Sequence, residues 1–226
     1  MQFFRLALVV AFKDLRAEFR TKEAINASLA FALVILLMFS FAFDPSDETT
    51  RAISGGLLWI AFAFAGTLIL NRSFARELPN DCLDALIAAP ISSSALFLGK
   101  AFANFVLVAA VELVAMPVFG VFYNVHWTER FPALLMVIVL GTWGMTIIGT
   151  IFSALTVNIR LREVMLPMLT YPILVPALMG AMRLTSDLVT GTPITPENME
   201  WLKMLIGFDA IYTAVSLILV ETVLVG

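Results

Sequence analysis

FPALLMVIVLGTWGMTIIGTIFSALTV, residues 131–157, decides the fold, because it runs from end to end without a charged side chain. At 1.5 Å per residue, a helix needs roughly 20 apolar residues to cross a hydrocarbon core of about 30 Å, and this stretch exceeds that. Its apolar character is continuous rather than alternating, which excludes the strands of an outer-membrane barrel. Five further runs of the same kind lie at Ile25–Phe43, Ile53–Leu70, Leu96–Tyr123, Val164–Arg183 and Leu202–Val225, bounded by charge, proline or glycine. The expected fold is therefore an all-α membrane protein with six transmembrane helices, arranged as a single membrane domain over residues 1–226.

Composition agrees. The 226 residues are 61% apolar and 14% charged, with a mean hydropathy of +0.96. So few charges cannot cover a globular surface without leaving large apolar patches, so an ordinary cytosolic enzyme is excluded. A net charge of -3 offers no basic footprint for nucleic acid. With Cys82 the only cysteine, neither an intrachain disulfide nor a cysteine-rich metal site can form, and no metal ligand set is expected. Leu6–Phe12 is too short for a signal peptide core and Lys13 interrupts it, so the N-terminus is expected to be retained.

Orientation follows from the cations. Arg5, Lys13, Arg16, Arg20 and Lys22 precede the first span, Arg72, Arg76 and Lys100 fall between the second and third, and Arg160 and Arg162 between the fourth and fifth. Arg51, Arg130, Arg183 and Lys203 are left for the other side. Lys and Arg accumulate on the cytoplasmic side of short loops, so both termini are expected in the cytoplasm. The loops Asp44–Ala52, Asn124–Arg130 and Leu184–Trp201 then face outward and are too short to hold an external catalytic domain.

Residues 1–24 read as an amphipathic interfacial helix. At 100° per residue Phe4, Leu8, Phe12, Leu15 and Phe19 share one stripe, while Arg5, Lys13, Arg16 and Arg20 share another. Such a helix lies in the headgroup plane with its cations near lipid phosphates, or serves as an elbow against a partner subunit.

No chemistry of its own is legible. The one Gly-Lys pair, Gly99–Lys100, has Ser94 where a phosphate loop needs its first glycine and Ala101 where Ser or Thr would hold magnesium. Catalytic residues are therefore not expected, and ATP hydrolysis would require another subunit. His126, the only histidine, falls beside Tyr123 and Trp127 at the expected membrane boundary, where aromatic belts sit. Within the spans, Glu112 and Asp209 are costly enough to mark either a polar path or contacts that orient helices. Pro167, Pro172 and Pro176 predict a broken or kinked fifth span. Gly141, Gly144, Gly149 and Ser153 allow close helix approach within or between protomers.

The loop 71–97 is more than a linker. FARELPNDCLDALIAAPISSSALFLGK, residues 74–100, places Asn80 or Asp81 to cap a short helix whose face carries Leu83, Leu86 and Ile87, ended before Pro90. A cytoplasmic helix between two spans is how permeases dock onto motor subunits; a solvated amphipathic loop is the plainer alternative.

These segments resemble the CcmB family, the haem exporter B permeases of cytochrome c maturation. The likeness is carried by FKDLRAEFRTKEAI (12–25), SGGLLWIAFAFAGTLILNRSFARE (54–77), LDALIAAPISSSALFLGK (83–100), LGTWGMTIIGTIFSAL (140–155), NIRLREVMLPMLTYPILVPALMGA (158–181) and GFDAIY (207–212). Their ordered succession covers nearly the whole chain. The resemblance implies a six-helix permease of the ABC-2 (type V) kind in the bacterial inner membrane, dimeric, and bound to two copies of the ATPase CcmA. Its coupling helix maps onto Glu77, Leu78, Asp81, Leu83, Asp84 and Leu86. Asp81 departs from the glycine that many relatives carry there, but aspartate tolerates a left-handed turn. The resemblance further implies CcmC and CcmD as complex partners, the chaperone CcmE as a functional link, ATP and magnesium held by the ATPase, and haem as cargo rather than as a bound cofactor. The tryptophan-rich haem-handling motif of CcmC is absent. Two other readings stay open at this level: an ABC-2 exporter of another lipid-like or polymeric substrate, and a non-conducting scaffold of the maturation complex. An ion-driven secondary carrier is a weaker option, and the absence of a recognisable inverted repeat counts against it.

Overall fold

A chain in lipid must satisfy its backbone polar groups internally, and helix does this within each segment. The computed structural model describes residues 2–44, 47–79, 82–125, 128–193 and 195–225. Among them lie the helices α1 (Gln2–Thr21), α2 (Glu23–Ala42), α3 (Glu48–Arg72), α4 (Cys82–Ala88), α5 (Ser93–Phe122), α6 (Phe131–Thr156), α7 (Arg162–Val189) and α8 (Pro196–Val225), with a short 3-10 turn at Ala75–Glu77. No strand occurs among the described residues. Six of these helices, α2, α3 and α5 to α8, are long and apolar enough to cross a membrane. Asn80, Asp81, His126 and Trp127 lie outside the described residues.

The expected spans recur, within a few residues at α2, α5 and α6 and lengthened at α3, α7 and the start of α8. The loop anticipated at Leu184–Trp201 is mostly helical, since α7 runs on to Val189 and α8 starts at Pro196. Thr195 Oγ1 accepts from the Asn198 backbone N–H at 3.4 Å, and Pro196 follows where a missing N–H costs nothing. Gly191, at φ 86°, supplies the left-handed residue that follows α7.

Of the broken or kinked fifth span expected from the prolines, the break does not occur: the helix is continuous from Arg162 to Val189. Pro172 and Pro176 lie on its exposed side, and each removes one backbone donor and crowds the carbonyl four residues before it.

α3 and α6 form the centre of the bundle. A Cβ on Gly141 would lie 2.2 Å from the Trp59 ring, and one on Gly149 would lie 2.4 Å from Leu70. These glycines thus serve packing between α3 and α6 of one chain. Trp59, fully buried, donates its indole N–H to Thr185 Oγ1 at 2.9 Å, which ties α3 to α7. A buried donor left without such a partner would cost about 1–3 kcal/mol.

The helices alternate in direction, so their ends collect into two groups. One gathers Glu48, Arg51, Asn124, Glu129 and Gly191 around a cavity of about 310 Å³. The other carries α1, the 3-10 turn, α4 and most of the cations.

Candidate functional site

The cation-rich end is built on α4. Leu83 is buried and packs with Phe74, Ala154 and Val157, joined by Leu78, Ile87, Val223 and Leu224. The short helix is therefore bolted onto the ends of α6 and α8. Its opposite side, with Asp84, Ala85 and Ala88, is exposed, and Leu86 is half-buried. Of the residues proposed from the sequence as partner contacts, Asp84 stands on the free side. Leu83 and Glu77 turn inward, and Leu78 is half-buried against the apolar cluster. A hydrophobic face of period 3.6 on so short a helix is here the anchoring face.

Behind α4 lies a buried ion cluster that no motif announces. Lys100, fully buried on α5, donates to Asp14 Oδ2, Glu77 Oε1 and the Ser73 carbonyl, each at 3.0 Å. Its ammonium also stands 5.0 Å from the centre of the Phe74 ring, within cation–π range. Lys13 donates to Glu77 and pairs with Asp14 at 3.2 Å. Burial pushes the Lys13 ammonium down, but its hydrogen bond to Glu77 and the charges of Asp14 and Glu77 outweigh that and hold it above its ordinary range. Asn104, one turn along α5 from Lys100, donates to Ser73 Oγ and Thr150 Oγ1, both at 2.9 Å. The segment entering α4 is thus tied to α1, α5 and α6.

A second tie runs through Glu18, which is fully buried. Its Oε1 accepts from the backbone N–H groups of Ala24 at 2.7 Å and Ile25 at 3.0 Å, and Oε2 takes Arg76. The residue before α2, Lys22, sits at φ 57° and provides no side-chain cap. Glu18 therefore supplies from α1 the carboxylate that the positive end of α2 requires. The elbow between α1 and α2 is closed by its own glutamate, and that glutamate is held by the 3-10 turn ahead of α4.

α1 shows three faces rather than two. Phe4, Leu8, Phe12 and Phe19 are exposed, as an interfacial helix requires, and Arg5, Arg16 and Arg20 are exposed beside them. Ala7, Val10, Ala11 and Glu18 are buried. A Cβ on Gly99 would meet the Ala7 carbonyl at 2.5 Å, so α5 touches α1 backbone to backbone. Lys13 is drawn into the ion cluster. The Gly99–Lys100 pair that fails as a nucleotide loop thus joins α5 to α1.

The intramembrane carboxylates are not joined to each other among the described residues. Glu112, buried on α5, accepts from Thr142 Oγ1 at 2.7 Å through Oε2, while Oε1 has no partner. Asp209, buried on α8, lies against α6, where a Cβ on Gly144 would come within 2.7 Å of Oδ1; neither of its oxygens has a partner among the described residues.

Sequence reading missed Asp14, Glu18, Ser73 and Asn104. The available signal was the third stripe of α1, in which Asp14 and Glu18 continue the line of Ala7, Val10 and Ala11 at helical spacing. Acids placed in register with small apolar residues face a packed neighbour rather than water.

Comparison with known proteins bears on this arrangement. The family model described as CcmB protein matches residues 5–222. The heme exporter protein B of Rhodobacter capsulatus is 31% identical over 198 residues, 88% of each chain. That of Paracoccus denitrificans is 28% identical over 81% of this chain and 84% of its own, and that of Pseudomonas aeruginosa 25% identical over 85% and 86%.

Proposed function

The chain belongs to the CcmB protein family, and from that premise we propose that it is the membrane permease subunit of a haem exporter serving cytochrome c maturation. It is a multi-pass integral membrane protein with six membrane-capable helices. In this reading it lies in the bacterial inner membrane with the cation-rich end in the cytoplasm, in keeping with the positive-inside rule. It hydrolyses no ATP itself; a separate ATPase, CcmA in the family's terms, docks against the exposed side of α4. CcmC, CcmD and the chaperone CcmE complete the system, and a second copy of the chain pairs with the first.

The observation that carries the reading is the seven-residue helix α4, anchored by Leu83 and free on its Asp84–Ala85–Ala88 side. A short helix held rigidly to the bundle and bare on the other side is suited to receive force. Movement of the ATPases would pass through α4 into the ion cluster and so to α1 and α5.

Co-purification tests it. With the ATPase encoded for the same complex co-expressed, Ala85→Arg and Ala88→Arg should abolish its retention and the maturation of c-type cytochromes, while membrane insertion and thermal stability of the permease are unchanged. Retention of the ATPase by both variants would remove α4 as the docking element. Failure of the wild-type chain to restore cytochrome maturation in a strain lacking the family's permease would overturn the functional reading itself.

A further inference from the structure

Between α5 and α6 a slot of about 320 Å³ opens beside Glu112. On α5 its lining extends from Phe105 to Pro117, about 18 Å along the helix axis. The space is therefore elongated rather than chambered. Met116 and Ile138 line its depth, and Leu113, Leu135 and Val139, all exposed, form its mouth on the outer surface of the bundle. For the chain alone in a bilayer that mouth is open to hydrocarbon, and the slot extends the apolar phase into the protein.

One polar feature breaks this apolar wall. Glu112 is 1% exposed and lines the slot together with Thr142. Thr142 occupies Oε2, and Oε1 is buried with no partner among the described residues. A buried carboxyl oxygen without a hydrogen bond costs free energy in any apolar medium, and more where no water can reach it. The structure supplies a donor for one oxygen and leaves the other, buried and without one among the described residues, in a side chain that lines a cavity of ligand size.

We propose that this slot is a binding site for a single-chain hydrophobic molecule bearing a hydroxyl or amine, which donates a hydrogen bond to Glu112 Oε1 while its chain lies along α5 toward Phe131. The chemistry selects the class. The wall accepts hydrocarbon, and the carboxyl oxygen that lacks a partner is met by a hydroxyl or amine. A transmembrane helix from a partner, about 10–12 Å across with its side chains, is too wide to enter and would only lie over the mouth. The site is separate from the docking side of α4 and does not depend on the identity of the cargo.

The test uses the full chain in phosphatidylcholine nanodiscs with two probes, hexadecanol carrying a mid-chain diazirine and its methyl ether. The two partition alike into lipid and differ in one donor. After photolysis, peptide mapping should show the alcohol labelling Leu113, Met116, Leu135 or Val139 about fivefold more than the ether, the ratio that one net hydrogen bond supplies. Glu112→Leu should erase the excess, and Glu112→Gln, whose amide oxygen still accepts, should retain it. Equal labelling of the wild type by both probes, or no labelling of these residues by either, overturns the proposal without recourse to any variant. An excess that survives in Glu112→Leu overturns it as well.

Discussion

Lys100 on α5 reaches Asp14 on α1 at 3.0 Å, across 86 residues of sequence, and the same ammonium holds Glu77 at the entrance to α4. One buried cation thereby joins three separate elements. Because Lys100 is fully buried while Asp14 and Glu77 are nearly so, the attraction is poorly screened, and the arrangement tolerates the loss of no single member.

Lys100→Met removes the buried cation and leaves Asp14 and Glu77 with only the half-exposed Lys13 between them. The expected cost is about 3–5 kcal/mol, read as a lowered unfolding temperature in detergent and as protease access at the end of α1. Lys13→Met, at a position whose side chain is 44% exposed, should cost under about 1 kcal/mol. Equal effects of the two substitutions would show that burial does not govern this cluster.

Glu18→Ala removes the acceptor for the N–H groups of Ala24 and Ile25 and leaves Arg76 without its carboxylate. A loss of about 1–3 kcal/mol is expected. Faster backbone amide exchange should appear at Ala24 and Ile25 before any other part of α2 is affected. Glu18→Gln, which keeps an acceptor oxygen, should retain part of that protection.

Gly99→Val should detach α1 from α5, since even a Cβ there meets the Ala7 carbonyl at 2.5 Å and Val10 at 2.7 Å. Neither contact can yield without moving a helix axis. Gly56→Ala, where no atom lies within 4 Å of the new Cβ, should be neutral or stabilising by up to about 1 kcal/mol. Site-directed spin labels on α1 would report greater mobility in the first variant and none in the second.

Cys82, exposed at the start of α4 and the only cysteine in the chain, is a built-in reporter of sidedness. A membrane-impermeant maleimide should label it in inverted inner-membrane vesicles and leave it untouched in intact spheroplasts. Bound ATPase should protect it in the vesicles. Labelling from the outside would reverse the proposed topology.

The spans were legible because a continuous apolar run has one stable conformation in lipid, and composition alone reveals such runs. Helix α4 was legible from its leucines and from Pro90 beyond them. What those leucines touch was not: Leu83 looks the same in a sequence whether its face meets a partner or the bundle. The three prolines of α7 announced a disturbed helix, but whether it would break depended on the surrounding bundle, which lets it run on unbroken to Val189. Gly141 and Gly149 announced close packing without naming Trp59 and Leu70 as its objects.

By itself the sequence determined that this is a six-span helical membrane protein, which end bears the cations, and which family it resembles, because hydropathy and local motifs are properties of neighbouring residues. Only the tertiary structure decided that Lys100 binds Asp14 and Glu77, that Glu18 caps a helix not its own, and that Glu112, lining an apolar slot, has one oxygen with no partner among the described residues. Lys100 and its acids, and Glu112 and Thr142, are tens of positions apart, and Glu18 meets Ala24 and Ile25 only because the chain turns between α1 and α2. Their energies arise from burial and distance in the folded bundle, which no local reading of the chain contains.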